Sequence, residues 1–158
     1  MKKIRCIAFD VDGTLTDGQV HISADGELYK SFDIKDGYGI RNLLAQRNVE
    51  AAIITGRQSK IVALRAKELA IKFVYQDVQD KTIALKDLQQ TLGIGLDEIA
   101  YMGDDLNDLP VMQMVGTTAC PSNAVSDVKR RCTYVCNNEG GRGAAREFIE
   151  WLIVKRLI

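Results

Sequence analysis

Four short segments of this chain carry side chains whose types and spacing suit a chemical site. Asp10 and Asp12 stand two residues apart in Phe9-Asp10-Val11-Asp12-Gly13-Thr14, at the end of an apolar run. Thr55-Gly56-Arg57 closes a second apolar run, Ala51-Ala52-Ile53-Ile54. Lys81 follows Phe73-Val74-Tyr75 and opens a stretch with helical spacing at Ile83, Leu88 and Leu92. Gly103-Asp104-Asp105-Leu106-Asn107-Asp108 follows Ile99-Ala100-Tyr101-Met102 and puts three carboxylates and an amide within five positions, more than a turn requires. Two carboxylates as close as Asp10 and Asp12 repel each other, and a hard divalent cation is the simplest compensation. A calcium loop fails by position, because counting from Asp10 the twelfth residue is His21, where a glutamate is required. A hydroxyl, backbone N–H groups and a lysine are suited to holding phosphoryl oxygens.

The elements that must position these groups follow from hydrophobic pattern. Ile4 to Phe9 is near-continuously apolar, as in a strand covered on both faces, and such strands belong to parallel sheets layered with helices. Strand-like and helix-like patterns alternate along the chain, which predicts an α/β, doubly wound parallel sheet. Ligands of such sheets sit beyond the carboxyl ends of the strands, where all four segments fall. Residues 19–33 hold two short strand patterns around Ala24-Asp25-Gly26 and predict a β-hairpin, the one plausible cover for the site. Apolar positions predict helices around Ile40, Leu43 and Leu44; Ile61, Leu64 and Leu69; Leu88; Leu109–Val115; Val125–Val128; and from Gly143 onward. Gly116–Ala119 and Thr133–Cys136 complete the strands. No linker or repeat interrupts residues 1–158, so one domain is expected, with a tail at 138–158.

The order D-x-D-G-T, T-G-R, helix-opening Lys, G-D-D-x-x-D resembles the haloacid dehalogenase superfamily of phosphohydrolases, and the resemblance extends over residues 4 to about 150. Lys35-Asp36-Gly37-Tyr38-Gly39-Ile40 and Gly140-Gly141-Arg142-Gly143-Ala144-Ala145-Arg146-Glu147 place it closest to the branch acting on small sugar phosphates. A carboxylate nucleophile splits hydrolysis into two displacements through an aspartyl-phosphate, and Asp10 is the expected nucleophile. Asp12 is the expected acid and base for the leaving alcohol and the attacking water. An all-oxygen donor set suits Mg²⁺. The resemblance implies that Asp10 and Asp104 bind it through carboxylates and Asp12 through its backbone carbonyl. Asp105 and Asp108 would orient these ligands, and Thr55, Gly56 and Lys81 would hold the phosphoryl oxygens.

Arg57, Arg65 and Arg142 are the candidates for a sugar-acid carboxylate, since the Arg fork suits that group. Arg57 directly after Thr-Gly favours an eight-carbon keto-acid phosphate over a nine-carbon one, whose phosphatases in this branch carry glutamate there. A small hairpin leaves the site open, and the resembled branch closes it as a homotetramer in which the glycine-rich tail reaches a neighbour. Gly140, Gly141 and Gly143 would let that tail approach a ligand and present Arg142. A receiver-like signalling domain uses similar residues, but there the acidic pair comes first and the phosphorylated Asp later, the reverse of this chain.

Composition agrees without pointing further. The 158 residues carry 21 basic and 21 acidic side chains, so nothing advertises a nucleic-acid or membrane partner. The opening Met1-Lys2-Lys3 is followed by too short an apolar run for a secretory signal. Cys6, Cys120, Cys132 and Cys136 sit in apolar contexts and are expected as reduced thiols of a cytoplasmic protein. A zinc site among them lacks a fourth ligand.

Overall fold

A computed structural model describes residues 2–158. Six strands form one parallel sheet: β1 (Cys6–Phe9), β4 (Glu50–Ile54), β5 (Phe73–Tyr75), β6 (Ile99–Met102), β7 (Thr117–Cys120) and β8 (Tyr134–Val135). Their order is β5-β4-β1-β6-β7-β8. β1 is therefore flanked in parallel by β4 and β6, with Phe9 opposite Ile53 on one side and Met102 on the other. The chain winds outward in both directions from β1, which makes its carboxyl end the switch point of the sheet.

The continuous apolar character of the strands comes from burial on two faces. Ile7 and Phe9 of β1, Ala51 and Ile53 of β4, and Ala100 and Met102 of β6 join one core with Phe148, Ile149 and Leu152 of α6 (Ala144–Val154). Cys6 and Ala8, Ala52 and Ile54, and Ile99 and Tyr101 join the other. That second core includes Leu85 and Leu88 of α3 (Lys81–Leu92), Val111 of α4 (Leu109–Met112) and Val128 of α5 (Ser126–Arg131). α1 (Ile34–Tyr38) and α2 (Lys60–Glu68) lie with the first core, and α1 runs on into a π-helical turn, Gly39–Leu43.

Several sequence expectations need correction. The hairpin is shorter than 19–33: β2 (His21–Ser23) pairs antiparallel with β3 (Gly26–Tyr29), and Asp33 already caps α1 by accepting from the Lys35 and Asp36 N–H groups. Leu64 and Ile83, expected on buried helix faces, are exposed, because Val62 and Ala66 on α2 and Ala84, Leu85 and Leu88 on α3 face the sheet instead. Within residues 138–158 the helix expected from Gly143 onward is present and docked. α6 carries fully buried Phe148, Ile149 and Leu152, and its N-terminus is held by Asp36, whose carboxylate accepts from Gly143 N (3.3 Å) and Arg146 N (2.8 Å). Gly140 and Gly141 meet a packing requirement within the chain. A Cβ on Gly140 would stand 1.9 Å from the Gly13 carbonyl oxygen, and one on Gly141 would stand 2.5 Å from the Thr16 carbonyl carbon. The glycines let this segment lie directly against the loop that follows β1. No helix among the described residues is long and apolar enough to cross a membrane.

Candidate active site

The carboxyl ends of β1, β4 and β6 open into a cleft lined by Asp10, Asp12, Thr55, Gly56, Arg57, Asp104, Asp105 and Asn107. Each side chain arrives there because its strand ends there. The Asp10 N–H is the last ladder donor of β1, bonded to Met102 O, so the Asp10 side chain leaves the sheet at its rim. Thr55 N bonds to Tyr75 O at the end of β4, and Val78 N returns to Thr55 O. The cleft holds about 150 Å³, below the roughly 300–1,000 Å³ that encloses a whole small ligand. It can seat the phosphoryl end of an ester and leaves the rest outside.

Beneath the cleft lies a buried charge network. Lys81 Nζ donates to Asp10 Oδ1 (2.6 Å) and to Asp108 Oδ1 (2.7 Å), and its side chain is 2% exposed. The Tyr101 hydroxyl donates to the same Asp108 oxygen at 2.7 Å. The other Asp108 oxygen accepts from Asp104 N (2.9 Å) and Asp105 N (3.1 Å). A short 3₁₀ turn over Leu106–Asp108 brings Asp108 back under the strand end, and Pro110 follows near the start of α4. Thr14 Oγ1 donates to Asp104 Oδ1 at 3.0 Å, tying the β1 loop to the β6 loop. Two glycines make that contact possible: a Cβ on Gly13, which has φ +94°, would lie 2.1 Å from Asp104 Oδ2, and one on Gly103 would lie 2.3 Å from Asp108 Cγ.

Carboxylate oxygens of Asp10, Asp104 and Asp108 fall within 4.8 Å of one another, the one such metal-capable group among the described residues. Burial first, and the Asp108 charge second, push the Asp10 carboxyl well above the ordinary carboxylate range. The same two causes push Asp104 up to about 6. For Lys81, burial opposes the charge, but Asp10 and Asp108 outweigh it and hold the ammonium above its usual pKa. One buried cation thus faces three carboxylates, and the excess negative charge at Asp10 and Asp104 is what a hard divalent cation would relieve. The donor set fits such an ion. Asp108 already accepts four hydrogen bonds and does not line the cleft, whereas Asp10 and Asp104 do.

The expected residues divide accordingly. Asp10, Asp12, Thr55, Gly56, Arg57, Asp104 and Asp105 meet at the cleft, with Lys81 and Asp108 directly beneath Asp10 and Asp104. Asp105 Oδ1 caps the Leu106 N–H at 2.7 Å, and the contact to the Asp104 backbone comes from Asp108. The Asp12 carboxylate lies outside the aspartate cluster and pairs with Lys30. Arg65 is absent from the cleft. It pairs with Glu68 at 2.8 Å, donates to Asp33 O at 3.3 Å and lies over the Phe32 ring, because its turn of α2 faces α1. Arg142 also stands outside this cleft, exposed beside Glu139. Tyr101, Thr14 and Lys30 were not anticipated. A tyrosine in an otherwise apolar central strand is a signal, since its buried hydroxyl needs a partner. A lysine on a hairpin carries no such signal.

A family model described as haloacid dehalogenase-like hydrolase matches residues 70–148. The 3-deoxy-D-manno-octulosonate 8-phosphate phosphatase of Salmonella typhi is 43% identical over 153 residues, 97% of this chain and 81% of that protein. Among solved structures, the Moraxella catarrhalis phosphatase of the same name, in complex with magnesium, phosphate and KDO, superposes with a TM-score of 0.91 at 40% identity, covering 96% of this chain and 86% of that one. A cobalt-bound phosphatase from Haemophilus influenzae superposes with a TM-score of 0.93 at 37% identity, covering 96% and 88%.

Proposed function

This chain belongs to the haloacid dehalogenase-like hydrolases, and on that premise we propose that it is a Mg²⁺-dependent phosphatase that hydrolyses 3-deoxy-D-manno-octulosonate 8-phosphate to the free sugar acid and phosphate. The observation that carries the reading is the convergence of Asp10, Asp12, Thr55–Arg57 and Asp104 on one cleft at the switch point of the sheet, with buried Lys81 bonded to Asp10. The relatives named for that substrate match nearly the whole chain.

In this reading Asp10 attacks phosphorus and the sugar oxygen departs, leaving an aspartyl-phosphate that water then opens. Asp12 gives a proton to the departing oxygen and takes one from the attacking water. Lys81 holds Asp10 in place and offsets charge on the transferring group, while Thr55 and the Gly56 N–H hold its oxygens. The Asp10 and Asp104 carboxylates and the Asp12 backbone carbonyl would hold Mg²⁺, which would supply charge neutralisation between nucleophile and ester. Asp108 and Thr14 keep Asp104 aimed at the cleft from below and beside. Arg57 at the rim is the remaining cation of this chain for the sugar carboxylate.

The reading extends to a cytoplasmic homotetramer acting as one unit with residues 1–158 as a single domain. The cleft is open, Arg142 lies outside it beside Glu139, and Ile22 and Leu28 on the hairpin, with Val20 just before it, are exposed apolar residues available to a second copy. The test is phosphate release from a panel of sugar phosphates with Mg²⁺, including eight- and nine-carbon keto-acid phosphates. The eight-carbon substrate is expected to lead by about tenfold or more, the equivalent of one charged hydrogen bond. Asp10→Asn should abolish release, chelation should stop it and Mg²⁺ should restore it. Full turnover by the pure Asp10→Asn protein would end the proposal.

A further inference from the structure

Lys30 stands out on the hairpin because its surroundings are inverted. The neighbouring apolar residues Ile22 and Leu28 face solvent, whereas the Lys30 side chain is 2% exposed. It pairs with the Asp12 carboxylate through Oδ1, and with Glu27 Oε1 at 3.0 Å. The other Glu27 oxygen accepts from the Ser59 hydroxyl, and Ser59 caps α2 by accepting from Val62 N at 3.2 Å. Burial works against the Glu27 charge, yet the Ser59 hydrogen bond, Lys30 and Arg57 outweigh it and hold that carboxyl below the ordinary range. A continuous bracket therefore runs from the N-terminus of α2 through Ser59, Glu27 and Lys30 to Asp12. A long flexible side chain held in this way gives up its rotamer freedom, which a solvated lysine would keep.

We infer that Lys30 is a positioning residue for Asp12: by holding Oδ1 it fixes where Oδ2 points, so that the hairpin sets the geometry of proton transfer to the leaving oxygen. The inference rests on the acid and base role given to Asp12 above. Lys30 exchanges no proton itself. The proton passes from Asp12 to the departing oxygen as the phosphorus–oxygen bond breaks, and the bond to Asp10 forms in its place. Hydrogen-bonded placement matters because a small displacement of a catalytic group is enough to lose much of its contribution, about 10²–10⁴-fold for a general acid or base.

Leaving-group dependence separates positioning from mere structural support. kcat/KM reports the step in which the leaving group departs. An alcohol needs a proton to leave, whereas p-nitrophenolate does not. The full chain with Mg²⁺ is assayed on the eight-carbon sugar-acid phosphate, phenyl phosphate and p-nitrophenyl phosphate, as wild type, Lys30→Met, Lys30→Ala, Lys30→Arg and Asp12→Asn. Lys30→Met and Lys30→Ala are expected to lose about tenfold or more kcat/KM on the sugar phosphate beyond any loss on p-nitrophenyl phosphate, with phenyl phosphate between the two. Asp12→Asn should show the same steepening more strongly, and Lys30→Arg should recover part of the loss. Equal losses of Lys30→Met on both esters, a raised KM at unchanged kcat, or no loss at all would overturn the inference alone, provided that Asp12→Asn steepens. No steepening in Asp12→Asn would overturn the role of Asp12 and the inference with it.

Discussion

Replacing Asp108 with alanine is the most searching perturbation of the network under the cleft. Its carboxylate is fully buried and serves four donors: Lys81 Nζ, the Tyr101 hydroxyl, and the backbone N–H groups of Asp104 and Asp105. Lys81 keeps Asp10 at 2.6 Å after the change, so three donors are left without this acceptor. The fully buried Tyr101 hydroxyl costs about 1–3 kcal/mol when orphaned, and the Asp104 and Asp105 N–H groups, only partly buried, cost less. Against that stands relief of the repulsion that Asp108 exerts on Asp10 and Asp104. A net loss of about 3 kcal/mol is therefore expected, at the low end of the roughly 3–5 kcal/mol typical of breaking a buried pair. Urea unfolding in chelator, where metal cannot repair the site, measures it directly. With a slope of about 1–3 kcal/mol per molar, the midpoint should fall by roughly 1–3 M. Asp108→Asn, which keeps one oxygen but turns an N–H toward the other donors, should lie between wild type and alanine. A midpoint for Asp108→Ala equivalent to less than about 0.5 kcal/mol of loss would refute the argument, because surface substitutions have effects of that size.

Two further perturbations test the framework. Burial raises the Asp36 carboxyl to about 6 despite backbone donors from Arg146, Gly143 and Ala145. Its folded pKa lies above the unfolded value, so its contribution is fully present below about pH 4 and is lost as pH rises through about 6; the stability of wild type relative to Asp36→Asn should fall across that window by up to about 3 kcal/mol, and a flat difference would count against the burial argument. Gly140→Ala forces a methyl to within 1.9 Å of the Gly13 carbonyl oxygen, so thermal melting should fall by the equivalent of about 1–3 kcal/mol or more and turnover should drop with it as the β1 loop shifts. An unchanged melting temperature would show that the segment yields without disturbing the loop.

Residue type and spacing alone located the three strand ends that meet at the cleft. A strand buried on two faces must be apolar throughout, so Asp10, Thr55 and Asp104 mark where Ile4–Phe9, Ala51–Ile54 and Ile99–Met102 stop, and parallel strands stop at the same rim. That is why the doubly wound sheet and the members of the cleft were readable in advance. The roles of neighbouring residues were not, because they depend on which way a side chain turns after the strand ends. Asp105 and Asp108 are the same residue type three positions apart, and only the 3₁₀ turn over Leu106–Asp108 decides that Asp108 returns beneath Asp104 while Asp105 caps its neighbour. Arg65 read as a ligand for substrate until the rotation of α2 placed it against Phe32 and Glu68. Gly140 and Gly141 read as flexibility, yet they are close contacts with residues more than a hundred positions earlier. Lys30 looks like any solvated hairpin lysine until the fold sets Asp12, Glu27 and Ser59 around it. Local pattern reflects the requirement that strands be covered and helices be amphipathic, which each segment must meet by itself. Side-chain direction and long-range contact are settled by packing between segments, and that information exists in no single one of them.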